Sequence, residues 1–188
     1  VNYLIDCKNA VIMDVEGTTA VRTAEVHSTR VMLDRVEARN HIKPDRLSGD
    51  TAYGSAEMLN WLVNERGIEP HIPVFDKSFR KDGIFERSDF IFDAEDDRYV
   101  CPAGRSLRRY RVAGRAAKAK PPRDGLYRYR ARKTDCDDCP LKHRCCPKEP
   151  MRKILRSVHE EARDVARRIM ASDAYVTSRR ERKKVEML

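Results

Sequence analysis

The chain has 188 residues, 40% hydrophobic and 37% charged, enough for one ordinary domain carrying an insertion, or for two small domains, with a modest core. Lys and Arg total 39 against 30 Asp and Glu, a formal net charge of +9, and a balance that basic favours a polyanionic partner, nucleic acid above all. No stretch approaches the roughly 20 apolar residues of a membrane span, so membrane partners are not expected.

Val1 opens directly into strand-like sequence, not into a basic start followed by an apolar run, so no export signal is read there and a cytoplasmic location is expected. Asn2-Tyr3-Leu4-Ile5 and Ala10-Val11-Ile12-Met13 are apolar runs around the polar turn Asp6-Cys7-Lys8-Asn9, a hairpin signal. Ala24 to Arg39 predicts a helix with Val26, Leu33 and Val36 on one face, stopped by Asn40 and Pro44. A short strand-like run at residues 46–50 ends on the carboxylate Asp50. Ser55 to Arg66 predicts a second helix, with Met58, Leu59, Leu62 and Val63 at helical spacing and Gly67 as its stop. Residues 68–75 read as an edge strand, because Pro70 and Pro73 cannot donate to a ladder. This order points to an α/β fold.

From Asp76 to about Pro150 helical periodicity disappears, and Pro, Gly, Cys and Arg accumulate, as in an inserted loop-rich subdomain. Helical order returns at Ser157-Val158-His159-Glu160, which has the spacing of a capping box. Ala162, Val165, Ala166, Ile169 and Met170 then mark one helical face, and a last helix starts near Asp173. Three segments are therefore expected: 1–75, the insertion 76–150, and the terminal helices 151–188. The absence of an initial Met and the apolar helical ending Val185-Glu186-Met187-Leu188 read as cuts rather than natural termini.

Four groups of residues carry chemistry. Gly49-Asp50-Thr51-Ala52-Tyr53-Gly54-Ser55 places a carboxylate where a strand turns into a helix, the position α/β folds use for catalytic groups; the plainer alternative is that Asp50 caps the turn. Arg179, Arg182 and Glu186 recur at helical spacing, so a carboxylate stands among cations, an arrangement suited to a metal and phosphate site. Cys136-Asp137-Asp138-Cys139 is a thiol knuckle followed by Cys145, with Cys101-Pro102-Ala103-Gly104 upstream. Cys101, Cys136, Cys139 and Cys145 make a candidate four-thiolate zinc site, with Cys146 or His143 able to replace one ligand, while Cys7 stands apart. Finally, residues 105–133 hold twelve Lys or Arg and one acidic residue, Asp124, with Tyr110, Tyr127 and Tyr129 interleaved. Cations for phosphates beside aromatics able to stack on bases form a nucleic-acid pattern. Its candidate contacts are Arg105, Arg108, Arg109, Arg111, Arg128, Arg130 and Arg132, joined by Lys183 and Lys184.

Asp50-Thr51-Ala52-Tyr53-Gly54-Ser55 resembles the block around the second aspartate of bacterial insertion-sequence transposases of the DDE type, commonly Asp-x-Gly-Tyr. Arg182-x-x-x-Glu186 is similar to their glutamate signature, commonly Tyr-x-x-Arg-x-x-x-Glu. Arg179 stands at the Tyr place, a departure, and Tyr175 lies one turn earlier. The resemblance implies a partial ribonuclease H-like fold, a mixed sheet with flanking helices, carrying the loop-rich Cys-containing insertion. It also implies an Asp-Asp-Glu triad holding two Mg²⁺ (or Mn²⁺). One metal activates water or a DNA 3′-hydroxyl and the other stabilises the leaving oxygen. On this chain Asp50 matches the second carboxylate and Glu186 the third, with Tyr53, Arg179 and Arg182 in support. The first aspartate is expected upstream of Val1; Asp6 and Asp14 are strand-end carboxylates without its context. The implied partners are the DNA of mobile-element ends and targets, and further copies of the same chain. A non-catalytic zinc-ribbon-like nucleic-acid-binding module is the alternative, indifferent to Asp50 and Glu186.

Overall fold

The computed structural model describes residues 1–19, 21–75, 82–110 and 122–186, without the side chains of Arg22, Thr23 and Glu186. The chain divides into two compact units, one of Val1–Phe75 with His159–Leu188, the other of Asp76–Val158. Among the described residues no helix is long and apolar enough to cross a membrane.

In the first unit the expected hairpin is β1 (Asn2–Asp6) paired antiparallel with β2 (Val11–Glu16), with Ala10 at φ 55° closing the turn. Helix α1 (Arg22–Asn40) packs on both strands and ends where His41 takes a left-handed conformation. Strand β3 (Arg46–Ser48) pairs parallel with β4 (Glu69–His71), so that Ser48 lies opposite His71. Only three residues of the predicted edge run enter the ladder. Between them α2 (Ala56–Asn60) starts on the Ser55 hydroxyl, which accepts from the Met58 N–H at 3.2 Å, and continues as a wider π-helical turn over Trp61–Arg66. Gly67 ends it at φ 60°, in the conformation that glycine adopts without steric cost. Helices α5 (Glu160–Met170) and α6 (Asp173–Glu186) complete the unit.

Its core gathers Leu33 of α1, Met58 and Leu59 of α2, Ile68 and Ile72 flanking β4, and Ala162 and Ala166 of α5. The small residues of α5 bring that helix close to α2 and β4. Helix α5 begins after His159, which provides no side-chain cap. Glu160 turns inward. It is 1% exposed and accepts from Arg163 at 3.1 Å and Arg167 at 2.9 Å, because a buried carboxylate must be neutralised by partners.

The second unit holds more regular structure than its composition suggests. Strands β5 (Ile91–Asp93), β6 (Arg98–Val100), β7 (Ser106–Arg109), β8 (Leu126–Arg130) and β9 (Lys153–Ser157) form one antiparallel sheet in that order. One face buries Tyr99, Leu107, Tyr129 and Ile154 with Phe90, the aromatic rings of Tyr99 and Tyr129 meeting edge to face at 5.1 Å. The Tyr129 hydroxyl donates to Asp97, satisfying the one polar atom of an otherwise buried side chain. Two short helices, α3 (Lys133–Asp137) and α4 (Lys142–Cys145), follow β8. Residues 151–158, grouped by sequence with the terminal helices, belong to this unit, since β9 pairs with β8 from Leu126↔Ser157 to Arg130↔Lys153.

Candidate functional site

Asp50 lies just beyond the C-terminal end of β3. It caps a 3₁₀ turn, Thr51–Tyr53, its Oδ1 accepting the Ala52 N–H at 2.7 Å. The turn is held tightly. Phe75 donates its N–H to the Gly54 carbonyl at 2.9 Å, and a Cβ on Gly54 would stand 2.0 Å from the Pro73 carbonyl oxygen. Tyr53 folds under the turn and meets Thr29 of α1; burial pushes its phenol above the ordinary value, and the nearby charge of Asp50 adds to the effect. Asp50 itself is exposed. A rigidly placed, solvent-facing carboxylate at a strand end is therefore present, already using one oxygen as a cap.

Helix α6 packs on β3 and β4. Its Tyr175 ring lies 6.5 Å from that of His71, at the end of β4, while Glu181 reaches Arg46, at the start of β3, at 3.8 Å. The helix thus runs antiparallel to the two strands. Its last turn, with Glu186, is directed toward the start of β3, whereas Asp50 follows the end of β3. The side chain of Glu186 lies outside the described residues. Arg179, Lys183 and Lys184 are exposed, and Arg182 is half-buried. Asp14 is tied elsewhere, to Arg35 at 2.7 Å: burial raises its carboxyl, but the guanidinium outweighs that and holds it below the ordinary 3.8.

In the second unit the cations converge. A cleft of about 930 Å³ is lined by Arg105, Arg108, Arg109, Arg130, Arg132 and Lys133, with Tyr110 beside them. The sheet register explains this: Arg108 stands opposite Arg130, and both point away from the face that buries Leu107 and Tyr129. The Arg130 guanidinium lies 3.9 Å from the Tyr110 ring centre and that of Arg109 3.7 Å from Tyr127, so two cations are pre-oriented on aromatic faces. Among the described residues, Arg105, Arg108, Arg130, Arg132 and Lys133 have no carboxylate partner, whereas Arg109 pairs with Asp97 and Arg128 with Asp124. Arg128 is therefore the predicted contact least available to a phosphate. Arg111 lies outside the described residues.

The family model described as the transposase DDE domain matches residues 2–181. The chain belongs to the DDE transposases. No curated protein and no solved structure matches it. The mixed α/β first unit accords with the ribonuclease H-like domain expected of such a transposase, and the family implies action on DNA. Asp50 falls inside the matched stretch and Glu186 five residues beyond it.

DDE transposases generally use a divalent metal such as Mg²⁺. Among the described residues, which do not include the Glu186 side chain, no three His, Cys, Asp or Glu side chains stand together in metal-holding geometry. The cysteines come nearest. Cys101, Cys136, Cys139, Cys145 and Cys146 all line one small cavity of about 20 Å³. Burial drives the Cys145 thiol up to about 12 and that of Cys136 above its ordinary value. His143 is exposed and occupied with the Pro140 carbonyl at 3.0 Å, outside that cavity. Cys146 is the residue whose place sequence spacing alone leaves open. Its neighbour Cys145 has the commoner spacing, and only the fold shows both beside Cys136.

Proposed function

We propose that this transposase acts in DNA transposition by metal-dependent cleavage and strand transfer of phosphodiesters at mobile-element ends, as a homo-oligomer in the cytoplasm. The match to the transposase DDE domain over residues 2–181 carries this reading. Asp50 and Glu186 are assigned as the second and third carboxylates, and Arg179 and Arg182 as cations that meet phosphate beside Glu186. Asp50 and Glu186 would hold the metal, which would supply an activated oxygen nucleophile and charge stabilisation at the leaving oxygen. The residues of the chain itself do two separable things. Asp50 presents an exposed carboxylate from a turn it caps itself, and the cleft of the second unit holds DNA backbone through Arg105, Arg108, Arg130, Arg132 and Lys133.

The two functions separate because binding needs only the cations, while catalysis needs carboxylates placed to within about 1 Å, where misplacement costs on the order of a hundredfold in rate. With only Asp50 and Glu186 of the expected three carboxylates assigned, the chain is expected to bind DNA without cutting it. A filter-binding titration beside a nicking assay in Mg²⁺ or Mn²⁺ tests this. Efficient cleavage that Asp50→Ala abolishes would show a complete site and overturn the expectation of inactivity. In a transposition assay with the gene in its mobile element, Asp50→Asn and Glu186→Gln should each lower transposition at least a hundredfold. Undiminished transposition by either variant removes that residue from the catalytic set. The same result for both variants favours the second reading, a zinc-ribbon-like binding module, which the cysteine cavity and the adjoining cations support.

A further inference from the structure

The cysteine cavity has no part in phosphodiester chemistry, yet five of the six cysteines of the chain face it. Small thiols do serve as core packing, and Cys136 and Cys146 are buried in the aromatic core of the second unit. Packing alone does not account for the donor aimed at Cys101. The Arg105 N–H points at Cys101 Sγ at 3.3 Å. The turn that carries Cys101 is closed by Gly104 N–H to Cys101 O at 2.8 Å, with Gly104 at φ 73°, so the sulfur and its donor are held by backbone alone. Cys136 and Cys139 sit on a second tight turn, Cys139 N–H to Cys136 O at 3.4 Å, which puts two sulfurs on one side. Backbone N–H groups on sulfur stabilise thiolate and orient it, the role that outer donors play around metal-bound ligands. Arg105, Lys142 and Arg152 also line the cavity, so thiolates formed there stand among cations. The space is that of a single atom or ion, since roughly 10–15 Å³ suffices for one water.

We infer that Cys101, Cys136, Cys139 and Cys145 bind one structural Zn²⁺ that ties the turn after β6 to α3 and α4, with Cys146 as a fifth thiol lining the same cavity. The four sulfurs come from three separate places: the turn at Cys101, the knuckle of α3 and the last turn of α4. A tetrahedral ion at about 2.3 Å from each sulfur crosslinks them as a disulfide would, in a unit whose strands are three to five residues long. The sulfurs as they stand are not in metal-holding geometry, so binding requires side-chain rotations about χ1 that gather them.

The test uses the whole chain, purified reduced and without chelator, with zinc measured by elemental analysis. One equivalent is expected, falling below a tenth in Cys139→Ala and in Cys101→Ala and unchanged in Cys146→Ala. Because a variant can fail to fold, the metal-free parent is also titrated with Co²⁺ alone. The ligand-field bands of a tetrahedral thiolate site should appear with a one-to-one endpoint. No zinc in the parent together with no such bands overturns the inference, as does full zinc retention by Cys139→Ala. Neither readout depends on Asp50 or Glu186, so failure here leaves the transposition reading standing.

Discussion

Three single residues are under the most physical tension. Glu160 is buried with two arginines leaning on it, so Glu160→Gln leaves Arg163 and Arg167 facing a neutral group in a largely dry site. A loss of about 3 kcal/mol is expected, read as a lowered urea midpoint. Gly54 is constrained by space, not by dihedral angle. A methyl there meets backbone on two sides, the Pro73 oxygen at 2.0 Å and the Phe75 nitrogen at 2.7 Å. Gly54→Ala should cost about 3 kcal/mol and shift the Asp50 turn, visible as altered amide resonances at residues 50–55. Asp14 gives a pH effect of known sign. Its folded carboxyl lies below the ordinary 3.8, so its pairing with Arg35 stabilises the fold fully above that value. The stabilisation is lost as pH falls through the folded value. Asp14→Asn should therefore be less stable than the parent at pH 7, with the gap closing below about pH 4; equal midpoints at both pH values would remove the pair from the stability account. Of these residues only the Gly54 turn was legible in sequence, as part of the Asp50 block. Glu160 read as a capping partner of Ser157, and i, i+3 spacing says nothing of its burial.

At the scale of elements, the exposed faces of β7 and β8 carry the most direct expectation. Arg108 and Arg130 are cross-strand neighbours in the cleft without a carboxylate. Arg108→Ala and Arg130→Ala should each weaken DNA binding similarly across sequences and reduce the salt slope by about one, measured by titration at several ionic strengths. Arg128→Ala, which loses a cation already paired with Asp124, should change the slope less. The hairpin, α1, α2 and the Gly67 stop could be read ahead of the structure because long apolar periodicities and a glycine stop are local signals. The sheet β5 to β9 could not. Its strands are short, and arginine occupies the outward positions of β7 and β8 and even a buried one, Arg156, which stacks at 3.7 Å on Phe92. A pattern of Arg and Tyr reads as a basic loop until the register shows tyrosines on one face and arginines on the other.

For the whole molecule, a net charge of +9 concentrated in part on one cleft predicts binding that is nearly indifferent to sequence and falls steeply with salt. Affinity for an arbitrary duplex should drop at least about a hundredfold between 50 mM and 200 mM salt. Salt-independent binding would point to base contacts instead. Family membership was legible from two short blocks around Asp50 and Glu186, since the motifs preserve residue types at fixed spacing. The relation between those blocks in space was not, because spacing within a helix says nothing about which end of a strand that helix runs toward. The first unit is also discontinuous in the chain: α2 and β4 precede Asp76–Val158, and α5, which covers them, follows it. During synthesis the apolar side of Met58, Leu59 and Leu62 must wait for Ala162 and Ala166 to leave the ribosome. At ~10 residues per second that wait is on the order of ten seconds, long compared with hydrophobic collapse. The sheet β5 to β9, complete once β9 emerges, is free to fold first, so the nascent chain is expected to finish its middle before its beginning.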